Sequence, residues 1–199
     1  MAGGRKLEFD KQKALEAAME VFWKKGYLGA SLSDLTEGMG INKPSLYATF
    51  GNKEALFEQA THHYMETCSK PKSEYLFEPN TPLAQRITNY LKVIITGQCE
   101  GPNPKGCYIS LCVAEAAGEG MPENALKTLN TAAGYASELF LHLFETDEEA
   151  ISLGLNQQAA ANARFVVTLM NGTAAMARAG TPYDELQTVI QNALRGLGL

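Results

Sequence analysis

No run of apolar residues approaches the ~20 needed for a membrane-spanning helix. The stretch from Met1 to Asp10 is polar and lacks the hydrophobic region of a signal peptide. Both absences lead to the expectation of a cytoplasmic protein. No segment alternates apolar and polar residues with a period of two, and no internal repeat is visible, so neither a sheet nor a solenoid is expected. Enzyme motifs are also missing. There is no Gly-x-x-x-x-Gly-Lys-Ser/Thr, no Gly-x-Ser-x-Gly, no His-Glu-x-x-His and no dinucleotide fingerprint following a strand. The chain therefore reads as a non-enzyme without a cofactor. Four cysteines, at 68, 99, 107 and 112, have no Cys-x-x-Cys spacing and are expected as thiols. His62 and Glu66 share a helix face, with His63 beside them, but two ligands do not close a metal site, and a surface or interface role is the better reading.

What is present is helical. At 199 residues, 45% hydrophobic and 20% charged, the chain has an ordinary globular composition and length enough for one large core or two modest ones. Apolar residues recur at helical spacing over about Asp10 to Lys25, and again in helices opening at Pro82, Cys107 and Pro122 and covering 156–179 and 182–197. Ser69 to Pro82 and the Gly-Pro-Asn-Pro-Lys-Gly stretch at 101–106 read as loops. The fold is expected to be all-α. Net charge is −5, which argues against a nucleic-acid partner until its distribution is considered. Residues 1–56 hold eight Lys/Arg against seven Asp/Glu, so the acidity belongs to the remainder. Local basic groups matter more than total charge for DNA affinity, and Arg5, Lys6, Lys11, Lys43 and Lys53 are the candidates.

The most informative segment is 31–57. Ser31 can N-cap a helix, with Asp34 three residues on completing a capping box. Leu32, Leu35 and Met39 then recur at helical spacing, and Gly40 stands where a left-handed residue would stop the helix. Asn42 is a second capping residue, and Pro44 falls in the first turn of the next helix, where its missing N–H breaks no bond. That second helix spans about Lys43 to Phe50, with Leu46 and Phe50 inward and Lys43, Ser45, Tyr47 and Thr49 on other faces. It is too short to be stable alone and must be clamped by its neighbours.

This segment resembles the tetracycline-repressor (TetR) family of bacterial transcription regulators. The upstream stretch from Ala14 to Tyr27, with its Gly26-Tyr27 exit, and the downstream stretch Phe50-Gly51-Asn52-Lys53-Glu54-Ala55-Leu56-Phe57 are similar to that family's flanking signatures. Ala30, Thr36 and Gly38 depart from its pattern, Gly38 costing its helix roughly 1 kcal/mol relative to alanine. The resemblance implies a helix-turn-helix head over 1–52 and a helical effector-binding and dimerisation body over 53–199. It also implies that Lys43, Pro44, Ser45 and Thr49 face the major groove, that Tyr47 and Lys53 reach phosphates, and that Ser31 and Ser33 lie near the DNA backbone. Tyr47 as a core aromatic and the lysines as solvated surface groups are the competing readings.

The segments 156–179 and 182–197 are apolar on more than one face and need cover on two sides, from a second copy of the chain or from the chain itself. In the resembled family such helices pair into a twofold dimer. That dimer would set two recognition helices roughly 34 Å apart on a palindromic operator of double-stranded DNA. Tyr64, Met65, Leu91, Ile95, Tyr108, Leu111, Tyr135, Leu139 and Phe165 lie on apolar faces of the regulatory half as candidates for an effector pocket, with plain core as the alternative. Cys107 appears at a helix start beside Lys105, a setting that favours thiolate, with Cys99 a short loop away. Some family members that sense reactive compounds carry a cysteine there, while an inert buried thiol is the competing reading. The expectation is a homodimeric repressor released by a small-molecule or thiol-reactive effector. The alternative is a helical sensing module without specific DNA binding.

Overall fold

The structure is a computed structural model that describes residues 9–199. Arg5 and Lys6, two of the basic candidates, lie outside the described residues. α1 (Lys11–Gly29) starts where the Asp10 carboxylate accepts the Gln12 and Lys13 amides. α2 (Leu32–Met39) has the full Ser31/Asp34 capping box and ends at Gly40 with φ 64°. α3 (Lys43–Phe50) is capped by the Asn42 side chain, which accepts the Ser45 amide at 2.8 Å. α4 (Lys53–Tyr64) is capped in the same way by Asn52.

The body continues with α5 (Leu83–Cys99), α6 (Tyr108–Ala116), α7 (Glu123–Thr146), α8 (Glu148–Ser152), α9 (Ala159–Arg178), α10 (Tyr183–Leu186) and α11 (Thr188–Leu197). No strand occurs among the described residues. The described chain is therefore all-α, as its periodicity predicts.

Two boundaries differ from expectation. The supposed loop after Ser69 is helical as far as Phe77. A π-helical turn over Met65–Ser69 passes into a 3-10 segment over Lys70–Phe77. Pro71 is accommodated at the start of that segment, where its missing N–H is not needed. The final helix is broken at Gln187 into α10 and α11.

Two hydrophobic cores result. The first gathers Phe22, Trp23, Leu35, Leu46 and Phe57 with Tyr108, Cys112 and Leu129, so it joins the N-terminal helices to α6 and α7. The second gathers Leu83, Ile87 and Leu91 of α5 with Phe140, Phe144, Val166 and Ile190. Arg86 pins the second core's edge. Its guanidinium donates to the carbonyls of Leu76 at 2.8 Å and Thr81 at 2.9 Å and pairs with Asp147 at 2.8 Å. Burial opposes ionisation of Asp147, but the Arg86 bond and the amides of Ala150 and Glu149 outweigh it and hold the carboxyl below its usual value.

Arg86→Ala leaves two carbonyls and a carboxylate without their cation, and is expected to cost about 3–5 kcal/mol in urea unfolding. The Asp147 part of that difference should be complete above about pH 4, the ordinary carboxylate value. It should disappear as pH falls through the lower folded value. The gap between wild type and variant is therefore expected to narrow on acidification, with the part due to the two carbonyls remaining.

Candidate nucleic-acid interface and regulatory cavity

α3 turns Leu46 and Phe50 into the first core and leaves Lys43, Pro44 and Tyr47 exposed, with Ser45 and Thr49 half-buried at the margins. Tyr47 is 49% exposed, which removes its reading as a core aromatic. Ser31 uses its hydroxyl within the cap, donating to Asp34 Oδ2 at 2.8 Å and accepting the Asp34 amide at 3.1 Å. Ser33 is exposed on α2. Lys25 binds Asp34 at 2.6 Å and ties α1 to α2, and this bond with the Ser31 bonds holds the Asp34 carboxyl well below the usual range.

Lys53 is not a simple surface cation. It is half-buried, its ammonium stands 4.5 Å over the Tyr27 ring, and burial lowers its pKa against the attraction of Glu115.

A cavity of about 390 Å³ lies between α4, α5, α6, α7 and α9. Of the sequence candidates it takes Tyr64, Met65, Cys107 and Tyr135 as lining. The others lie elsewhere. Leu91 and Ile95 are fully packed in the second core, against which Leu139 also rests. Tyr108 is buried in the first core, where its hydroxyl shares a hydrogen bond with Thr61 at 2.8 Å. Leu111 is half-buried and Phe165 is exposed, neither lining the cavity. Sequence reasoning missed Trp23, Cys68, Lys72, Tyr90 and Gln98, which also line it. Only the Tyr64/Cys68 pair, four apart across the join of α4 and the π-helical turn, carried a local signal.

Cys107 is the N-cap residue of α6, and its Sγ lies 3.5 Å from the Tyr64 hydroxyl. Burial first, and then the neighbouring Cys107, raise the Tyr64 phenol well above its ordinary value, so it remains protonated, and either group can donate in the contact between them. Cys99 does not share this site. Its Sγ is directed to the Thr181 carbonyl at 3.9 Å, against the second core. Two buried polar atoms of the lining residues, Trp23 Nε1 and Gln98 Oε1, have no hydrogen-bond partner among the described residues. Among the described residues no cluster of three or more potential metal ligands occurs. His62 Nε2 instead lies 3.7 Å from Glu66, whose carboxylate also binds Lys70. No helix among the described residues is long and apolar enough to cross a membrane.

Residues 14–60 match the family model described as bacterial regulatory proteins, tetR family. The chain is similar to the HTH-type transcriptional repressor ComR of Escherichia coli strain K12, at 28% identity over 193 residues covering 96% of this chain and 90% of ComR. Its fold matches that of a cysteine mutant of the TetR family transcriptional regulator CifR, solved with 26-base-pair operator DNA. That match has a TM-score of 0.87 and 31% identity, and covers 96% of this chain and 98% of CifR. Reduced NemR of Escherichia coli shares the fold at a TM-score of 0.69 and 18% identity, covering 91% of this chain and 94% of NemR. The chain belongs to the TetR family and is a DNA-binding transcriptional regulator.

The thiols differ in access. Cys112 is fully buried, and burial pushes its thiol up to about 12. Alkylation of the native protein near pH 8, followed by peptide mass analysis, is expected to modify Cys107 while Cys112 stays unmodified until the chain unfolds.

Proposed function

We propose that this protein is a homodimeric repressor in which residues 1–52 read a palindromic operator and residues 53–199 receive the effector and pair the subunits. The observation that carries the reading is the outward face of α3, where Lys43, Pro44 and Tyr47 are free of the core while Leu46 and Phe50 anchor the helix. Lys43 donates to guanine O6 and N7, Pro44 touches a thymine methyl, and Ser45 and Thr49 serve base edges or phosphate. Tyr47 gives its hydroxyl to a phosphate, while Ser31 is a cap first and Ser33 lies near the backbone. Lys53 adds charge at the α4 N-terminus, with its ammonium resting over the Tyr27 ring. Relatives named as repressors and a neighbour solved on operator DNA support this reading.

Pairing of subunits is assigned to the outer side of α9 and α11. Phe165 and Met176 are exposed there, and Leu169 and Val189 only partly covered. A second copy would bury this apolar surface.

The effector is a small, largely apolar electrophile with an activated carbon–carbon double bond that enters the 390 Å³ cavity. There Cys107 adds across that bond: the C–S bond forms as the π bond breaks, and a proton, balancing the one lost by the thiol, ends on the other carbon. The Tyr64 hydroxyl, already 3.5 Å from the sulfur, is placed to donate to an oxygen of the incoming molecule. A cavity of this size suits a compact ligand, and solved neighbours include a TetR regulator studied through its cysteines.

Selection of bound sequences from a random DNA pool tests the operator reading, with a palindrome expected and no enrichment overturning it. On the selected site, Lys43→Ala is expected to cost about 1–3 kcal/mol and to relax base preference. Lys53→Ala should weaken specific and scrambled DNA alike and reduce the salt slope by about one. Equal losses on both DNAs for Lys43→Ala would remove its base-reading role. For the effector, N-ethylmaleimide should release operator from wild type and not from Cys107→Ser.

A further inference from the structure

α1 does not run unbroken to Gly29. At Gly26 the backbone turns to φ 73° and ψ −179°. A continuous helix would bond the Tyr27 N–H to the Trp23 carbonyl four residues back. Here each of those two groups is held by a charged residue of the body. The Glu115 carboxylate of α6 accepts the Tyr27 amide at 2.6 Å, and the Arg178 guanidinium of α9 donates to the Trp23 carbonyl at 3.0 Å. An anion thus takes the donor of one severed helical bond and a cation takes its acceptor, both stronger partners than a neutral peptide group. Position 26 requires glycine twice over. Its φ lies in the left-handed region, and a Cβ would sit 2.1 Å from the Glu115 carboxylate.

Both clamps lead to the cavity. Glu115 follows Cys107 by about 12 Å along α6, at 1.5 Å per residue. Arg178 packs on Gly106, where a Cβ would lie 3.2 Å from Arg178 Cβ and 2.8 Å from the Ala174 carbonyl. Trp23 lines the cavity itself. Toward the head, the Tyr27 ring packs on Phe57 at 5.0 Å and carries the Lys53 ammonium at 4.5 Å.

We propose that Glu115 and Arg178 are positioning residues for DNA reading. They hold the Gly26 break in the operator-binding form, and modification of Cys107 acts by displacing α6 and Gly106 from it, so that the head turns about residue 26. The regulatory role rests on the reading of the chain as an effector-released repressor, whereas the clamp rests on the geometry alone.

The test uses full-length protein, the selected operator and N-ethylmaleimide as the probe electrophile, with hydrogen exchange at the Tyr27 amide as a second readout. Glu115→Ala is expected to weaken operator binding about tenfold before any electrophile is added and to blunt the further response to it. Exchange at Tyr27 should rise by about the same factor. Glu115→Gln keeps an acceptor oxygen and should restore the response and most of the protection. Arg178→Ala tests the acceptor end separately and should show the same loss of response. A merely structural role would lower thermal stability in both alanine variants and leave the ratio of treated to untreated affinity unchanged, which would overturn the proposal. So would normal Tyr27 protection in Glu115→Ala. Should Glu115→Ala fail to fold, Arg178→Ala with a wild-type response overturns it equally. If wild type selects no operator or ignores the electrophile, it is the repressor reading that fails, and Tyr27 exchange still reports on the clamp.

Discussion

A chain of aromatic rings joins the DNA-reading helices to the rest of the molecule, and the other features depend on it. Phe22 of α1 meets Phe57 of α4 edge-on at 5.2 Å, and Tyr27 meets the same ring at 5.0 Å. Phe57 then leads to Tyr108 of α6 at 6.0 Å, and Tyr108 to Tyr64 at 5.1 Å. Trp23 closes the group edge-on against Tyr64 at 5.1 Å. Edge-to-face and tilted pairs add directional preference to the area each ring buries, so their relative orientation is fixed more tightly than aliphatic packing would fix it. The eight-residue α2 and α3 have too few turns to persist by themselves and take their position from this cluster.

On that support, charge is handled locally. The chain is acidic overall, yet the face of α3 that leaves the core carries Lys43 and hydroxyl groups and no carboxylate. Two acidic residues near the head are engaged elsewhere, Asp34 by Lys25 and the Ser31 cap and Glu115 by the Tyr27 amide. Neither carboxylate adds free negative charge beside the outward face of α3, where a net charge of −5 would otherwise oppose the proposed phosphate contacts.

The sequence makes the head legible almost residue by residue because its boundaries are set by neighbours in the chain. Ser31 with Asp34, Asn42 with Ser45, and Asn52 with Ala55 are contacts three residues apart, and each marks a helix start that the structure shows. Gly38, which looks like a loss of helix propensity, has a long-range cause. A Cβ there would lie 2.6 Å from Val21 Cγ2, so the residue is small to let α2 approach α1. The cavity was only half legible for the same reason. Trp23, Lys72 and Gln98 are brought to it from three separate elements, and no periodicity within any of them signals that a void will form. Likewise the short loop between Cys99 and Cys107 suggested a pair, but Gly106 N–H bonds the Gln98 carbonyl at 2.8 Å and the flanking side chains diverge into different cores.

The position of the cavity explains how a small molecule could matter to a head it never touches. Its walls are drawn from both cores, with Tyr64, Met65 and Cys107 on the side of the first and Tyr90, Ile94 and Met170 on the side of the second. Each core is close-packed and yields little under strain, so the proposed occupancy of the seam would move one core relative to the other rather than compress either. The first core contains the inward residues of α3, Leu46 and Phe50, together with Tyr108 and Cys112 of the helix that Cys107 opens. Packed side chains therefore connect that helix to α3, and this is the route that the proposed modification of Cys107 would use.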